Sequence, residues 1–151
     1  LFVEQYLSLP IEQQLAQANM LAKRSEIAEI GHLYSNTSTF TLSLLIVTAL
    51  VLRKQQYKSM VFTATSQLAS LFHKFGLKPT FLADADPSKL SASAQNWGTY
   101  YATAPKVMVL QLDEVQALIQ SDRLFKRMAD SLQAQIEVMS THALHVESKA
   151  A

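Results

Sequence analysis

Glu29, in the run Glu26-Ile-Ala-Glu-Ile-Gly-His-Leu33, is the residue of this chain best suited to proton chemistry. It sits beside Gly31, which interrupts an alternating strand pattern and suggests a bulge or a close backbone approach. A carboxylate held there can act as a general base toward an amine, directly or through water. It also reads as a plain solvated or salt-bridged strand residue. Glu4, on what reads as a neighbouring strand, can face the same cleft, where paired carboxylates would push one pKa up. Thr63 and Thr65 close a strand at the edge where open α/β sheets bind ligands, so both are candidates to hydrogen-bond a substrate carbonyl. Ordinary β-propensity explains threonines there equally well.

A second feature comes directly after Glu29. Leu33, Tyr34, Ser35, Asn36, Thr37, Ser38 and Thr39 crowd hydroxyls and an amide at the start of the apolar run Thr39 to Leu52. The first turn of a helix leaves backbone N–H groups unpaired, so strand, polar loop and helix together can hold a phosphate or another anion. The same side chains would also serve as simple helix caps. Metal chemistry finds less support. Asp84 and Asp86 stand two apart before Pro87, a pattern that suits a capped turn better than a hard cation. His32, His73, His142 and His145 are scattered and offer no third ligand, so no metal site is expected.

These groups need a scaffold, and composition supplies the bounds. A chain of 151 residues, 49% hydrophobic and 17% charged, is one globular domain's worth with a real core. A formal net charge of +1 gives no reason to expect a nucleic-acid surface. Without cysteine there is no disulfide, thiolate metal site or Cys nucleophile. Thr39 to Leu52 is too short to span a bilayer, which takes roughly 20 apolar residues, and reads as a buried core helix. No signal peptide is visible, which favours a cytoplasmic location with secretion as the alternative. Leu1 to Leu7 already looks like a strand in progress, which raises the expectation that an upstream part is missing.

Along the chain, alternation predicts strands at Leu1 to Leu7, Glu26 to Leu33, Lys58 to Thr65, Lys78 to Leu82 and Lys106 to Leu110. Helices are predicted from Ile11 to Met20, from Thr39 to Gln56, and from a Ser66 cap to Phe75 with Gly76 as the stop. Asp113 to about Val146 reads as helical with a break near Ser121-Asp122. Phe125, Met128, Leu132, Ile136, Met139 and Ala143 form one apolar stripe on it, expected to pack on the domain or on a second subunit. The pattern argues for an α/β fold with at least two parallel strands. Residues 1–110 are expected to form that unit and residues 111–151 a C-terminal helical extension.

Several motifs in order resemble the thermostable hemolysin family. They are Glu26-Ile-Ala-Glu-Ile-Gly-His-Leu33, Val61-Phe-Thr-Ala-Thr65, Phe72-His-Lys-Phe-Gly-Leu77, Asp84-Ala-Asp-Pro87, Trp97-Gly-Thr-Tyr-Tyr101 and Pro105-Lys-Val-Met108. The likeness runs from about Leu1 to Val109, with His32 standing where Asn is more usual. That family's element order is similar to the acyl-homoserine-lactone synthases and the wider GNAT acyltransferase superfamily. The resemblance implies a GNAT-like mixed sheet flanked by helices, with its first strands upstream of Leu1 and a long helix at the C-terminus. It further implies a bulged strand at Glu26 to Leu33, and backbone amides of Tyr34 to Thr39 taking the pyrophosphate of coenzyme A. A strand at Lys58 to Thr65 would splay away to admit the pantetheine arm. The superfamily's Gln/Arg-x-x-Gly-x-Gly/Ala signature is absent here.

In function, the resemblance implies an N-acyltransferase that takes an acyl-CoA or acyl-carrier-protein thioester and passes the acyl group to an amine. Glu29 would then be the base, and Tyr100 or Tyr101 the acid toward the leaving thiolate. As neighbours of Trp97, both tyrosines equally fit aromatic packing. Glu4, Thr63 and Thr65 would contact the substrate. The alternative is a membrane-damaging hemolysin or cytolysin without enzymatic activity, in which the C-terminal stripe lies on a bilayer. A third reading makes the C-terminal helix an oligomerisation element only.

Overall fold

A computed structural model describes residues 1–31, 38–90 and 100–149, except the side chains of residues 38, 39 and 142–149. Its centre is β2 (Ser59–Ala64), buried along nearly its whole length because both faces of the sheet are covered. It pairs in parallel with β1 (Ile27–Ile30), from Ile27 opposite Ser59 to Ile30 opposite Phe62. On its other side it pairs antiparallel with β4 (Lys106–Gln111), which pairs antiparallel with β3 (Thr80–Asp84). The order β1-β2-β4-β3 makes an open, mixed α/β sheet.

Period-two alternation sorts the strand residues onto two faces. Met60, Phe62, Ala64, Met108 and Leu110 face α2 (Ser38–Lys54), α4 (Leu112–Ser121) and α5 (Arg123–Ser131) and form the larger core with them. α3 (Ser66–Lys74) adds Phe72, which meets Phe62 edge-on at 5.5 Å. Val61, Val107 and Val109 face the other way, against Val3 and Tyr6 of the 3-10 turn Phe2–Tyr6 and against Ile11 and Leu15 of α1 (Ile11–Gln17). As expected, the apolar run of α2 is core: Ile46 is fully buried, and Leu44 and Leu50 pack against that core.

Helix ends follow local chemistry. α3 closes with Gly76 at φ 80°, its N–H bonded to the His73 carbonyl and that of Leu77 to Phe72, so orphan carbonyls are satisfied by a left-handed residue. α2 closes the same way with Gln56 at φ 68°, Gln56 bonding Arg53 and Tyr57 bonding Leu52. The cap of α3 is Thr65, whose hydroxyl accepts the Leu68 N–H, one residue before the predicted Ser66.

Two expectations need correction. Leu1 to Leu7 is no strand but contains the 3-10 turn, because Val3 and Tyr6 are buried three apart while Phe2 is 42% exposed. β1 keeps even register with β2 as far as Ile30, and Gly31 falls just past the described pairs; the register shift in the sheet lies between Phe81 and Ala83. Among the described residues nothing lies within 4 Å of a Cβ built on Gly31. The C-terminal part breaks at Asp122 as expected, and once more than expected. Asp122 accepts N–H bonds from Leu124 and Phe125 and starts α5, and a second break at Leu132 precedes α6 (Gln133–Lys149). The stripe therefore divides: Phe125 enters the main core, Ile136 packs on Val47 and Val51 of α2, and Met139 is 45% exposed.

Candidate active site

The site forms where β1 stops and β2 continues. The last β1–β2 pair is Ile30 with Phe62, and among the described residues Thr63 and Ala64 run on with partners on the β4 side. The C-terminal end of a parallel pair is the position at which open α/β sheets bind ligands. Alternation puts Glu29 and Thr63 on the same face of the sheet as Val61, the face covered by the Phe2–Tyr6 turn.

Glu29 is half-buried and accepts a hydrogen bond from the Val3 N–H at 3.1 Å. That N–H opens the 3-10 turn, where a donor has no partner within the turn. Thr63 Oγ1 accepts from the Tyr100 hydroxyl at 2.8 Å. The rings of Tyr100 and Tyr101 meet edge-on at 5.3 Å, and the Tyr101 and Tyr6 hydroxyls are 2.7 Å apart. Burial raises the Tyr100 pKa above the usual phenol value. Burial raises Tyr6 far more, with the bond to Tyr101 adding to it, so both stay protonated at neutral pH. The negative charge of Glu29 acts on Tyr6 in the same direction. One carboxylate, three phenols and a threonine thus converge at the end of two parallel strands.

Other predicted residues lie elsewhere. Glu4 is not on a neighbouring strand and does not pair with Glu29 to raise a pKa. Its carboxylate takes both guanidinium nitrogens of Arg24, at 2.7 and 2.5 Å, and the Ile11 N–H at 3.2 Å. The Arg24 fork holds the Glu4 carboxyl far below the usual carboxylate range. Thr65 is engaged as the α3 cap. Leu33, Tyr34, Ser35, Asn36 and Thr37 lie outside the described residues, while the backbone of Ser38 and Thr39 opens α2. That helix has no acidic residue in its first turn and ends on Arg53 and Lys54, charges placed as its dipole favours. Asp86 caps a 3-10 turn through the Ser88 N–H, as a capped turn requires. Among the described residues no group of three His, Cys, Asp or Glu side chains is placed for a metal ion. Tyr6 is the site residue that alternation hid. An aromatic with a polar tip, three residues after a buried valine, was its only signal.

The model of the family described as thermostable hemolysin matches residues 1–116. Comparisons with curated proteins and with solved structures find no match.

Proposed function

The chain belongs to the thermostable hemolysin family, and on that premise we propose that it is an acyltransferase-like protein acting on a thioester and an amine. The observation that carries this reading is the grouping of Glu29, Thr63 and the Tyr6, Tyr100 and Tyr101 hydroxyls near the end of the β1–β2 pair. The thioester substrate, coenzyme A or an acyl carrier protein, supplies an activated acyl group. Backbone N–H groups at the start of α2 take its phosphates. Thr63 turns its hydroxyl to the acyl or pantetheine carbonyl, and Thr65 holds the strand end through its cap.

In the reaction, the amine nitrogen bonds to the thioester carbonyl carbon and gives its surplus proton to Glu29. The carbon–sulfur bond breaks, and the leaving thiolate takes a proton from the Tyr100–Tyr101 pair. Exchange with water restores both groups, so protons balance. Glu4 serves this site indirectly, by fixing the Phe2–Tyr6 turn to Arg24. The test is acyl transfer from acyl-CoA or acyl carrier protein to amines, wild type against Glu29→Gln. Loss of a general base should cut kcat by roughly 10²–10⁴-fold and leave coenzyme A binding intact. Full transfer activity in Glu29→Gln would show that Glu29 is not the base.

The family's description supports a second reading, membrane damage. Among the described residues no helix is long and apolar enough to cross a membrane. Release of dye from liposomes at micromolar protein would support that reading, and intact liposomes would sink it.

A further inference from the structure

We infer that the cleft between α4 and the link from α3 to β3 is a second binding site, built for a small zwitterion: an α-amino acid with an apolar side chain. The cleft holds about 470 Å³, within the roughly 300–1,000 Å³ of small-molecule sites. Leu77, Leu110 and Leu118 give it apolar walls, while Lys78, Thr80 and Glu114 bring an ammonium, a hydroxyl and a carboxylate. Among the described residues none of these three polar side chains has a hydrogen bond or an ion pair. Elsewhere opposite charges close on each other, Arg24 on Glu4, Arg53 on Asp113 and Lys58 on Glu26. Lys78 and Glu114 line one cleft without pairing. A molecule with one carboxylate and one ammonium answers both, the carboxylate to Lys78 and the ammonium to Glu114. Its apolar side chain then lies on the leucines, and the Thr80 hydroxyl can donate to it or accept from it.

The fold fixes the groups that line this cleft. Leu77 follows the left-handed Gly76 that ends α3, and its N–H is bonded to the Phe72 carbonyl. Lys78 precedes the buried Pro79, which restricts the Lys78 backbone to extended conformations. Thr80 begins β3 opposite Val109, and Glu114 and Leu118 lie one turn apart on α4. Leu110 belongs to the core shared with α4, on the sheet face opposite to Glu29 and Thr63. The cleft is therefore separate from the candidate active site and independent of the acyl-transfer reading.

Lys78 and Glu114 are both exposed, so the pairs they make are weak and binding should be of about millimolar strength. The test is an amide NMR titration of the whole chain with L-leucine and L-phenylalanine. Saturable shifts should centre on Gly76, Leu77, Lys78, Glu114 and Leu118. Isovalerate and isoamylamine each carry one of the two charges and should bind about fivefold more weakly than leucine. Lys78→Glu and Glu114→Lys should each weaken leucine binding by roughly tenfold, because an attraction becomes a repulsion. Exchanging both residues should restore it, since the ligand can turn end for end. Signals away from the cleft should stay unchanged in all three variants, as expected for exposed positions. The absence of saturable shifts at the cleft amides would overturn the site. Single variants that bind leucine as wild type does, or a double exchange that recovers nothing, would overturn it equally.

Discussion

A carboxylate's neighbours decide what it does, and Glu4 and Glu29 divide on that basis. Glu4 is clamped by Arg24, so its folded-state pKa lies far below the unfolded value. A depressed carboxylate contributes stability above its unfolded pKa and loses it as pH falls toward the folded value. The melting temperature of Arg24→Gln should therefore fall below that of wild type at neutral pH, with the gap narrowing below about pH 4. A gap that stays constant into acid would show that the bridge adds nothing to the fold. Glu29 instead accepts the neutral Val3 N–H, a bond that orients the carboxylate without neutralising it. Residue type alone made Glu29, Tyr100 and Tyr101 visible in the sequence. Nothing there marked Arg24 as the partner of Glu4, because a contact across 20 residues of chain leaves no local pattern.

Elements were legible where one period dominates. The strands β2 and β4 and the helices α2 and α3 lie within a residue or two of their predicted bounds, and Gly76 stops α3 as its φ of 80° requires. Legibility failed where two periods compete. Phe2 to Tyr6 alternates in residue type, yet burial three apart selects a 3-10 turn, and that choice carries Tyr6 into the site. The stripe after Asp113 hid a second break because apolar spacing of three or four survives it. The element whose role is most open to test is the start of α2. Ser38 is its first residue, a position where proline is compatible with a helix. Ser38→Pro should keep the far-ultraviolet circular dichroism of wild type, remove one N–H and weaken coenzyme A binding. Unchanged affinity would remove that amide from the anion site.

Across the whole molecule, the sheet separates two cores, and the helical part after β4 belongs to the larger one through Leu112, Val115, Ile119, Phe125 and Ala129. The opposite core presents the Phe2–Tyr6 turn to the ends of β1 and β2, so the candidate site residues Glu29 and Thr63 sit on the face away from α2, α4 and α5. That division was legible only in part, because apolar content predicts a core without telling which face each segment covers. If this architecture holds an acyl carrier, thermal unfolding in the presence of coenzyme A will register it. A ligand at a hundred times its Kd stabilises a fold by about 2.7 kcal/mol, and each kcal/mol raises the melting temperature of a domain this size by roughly 2–4 °C. A rise of several degrees with coenzyme A or an acyl carrier protein, preserved in Glu29→Gln, is the expected outcome. No rise with any coenzyme A thioester or acyl carrier protein at millimolar concentration would contradict it.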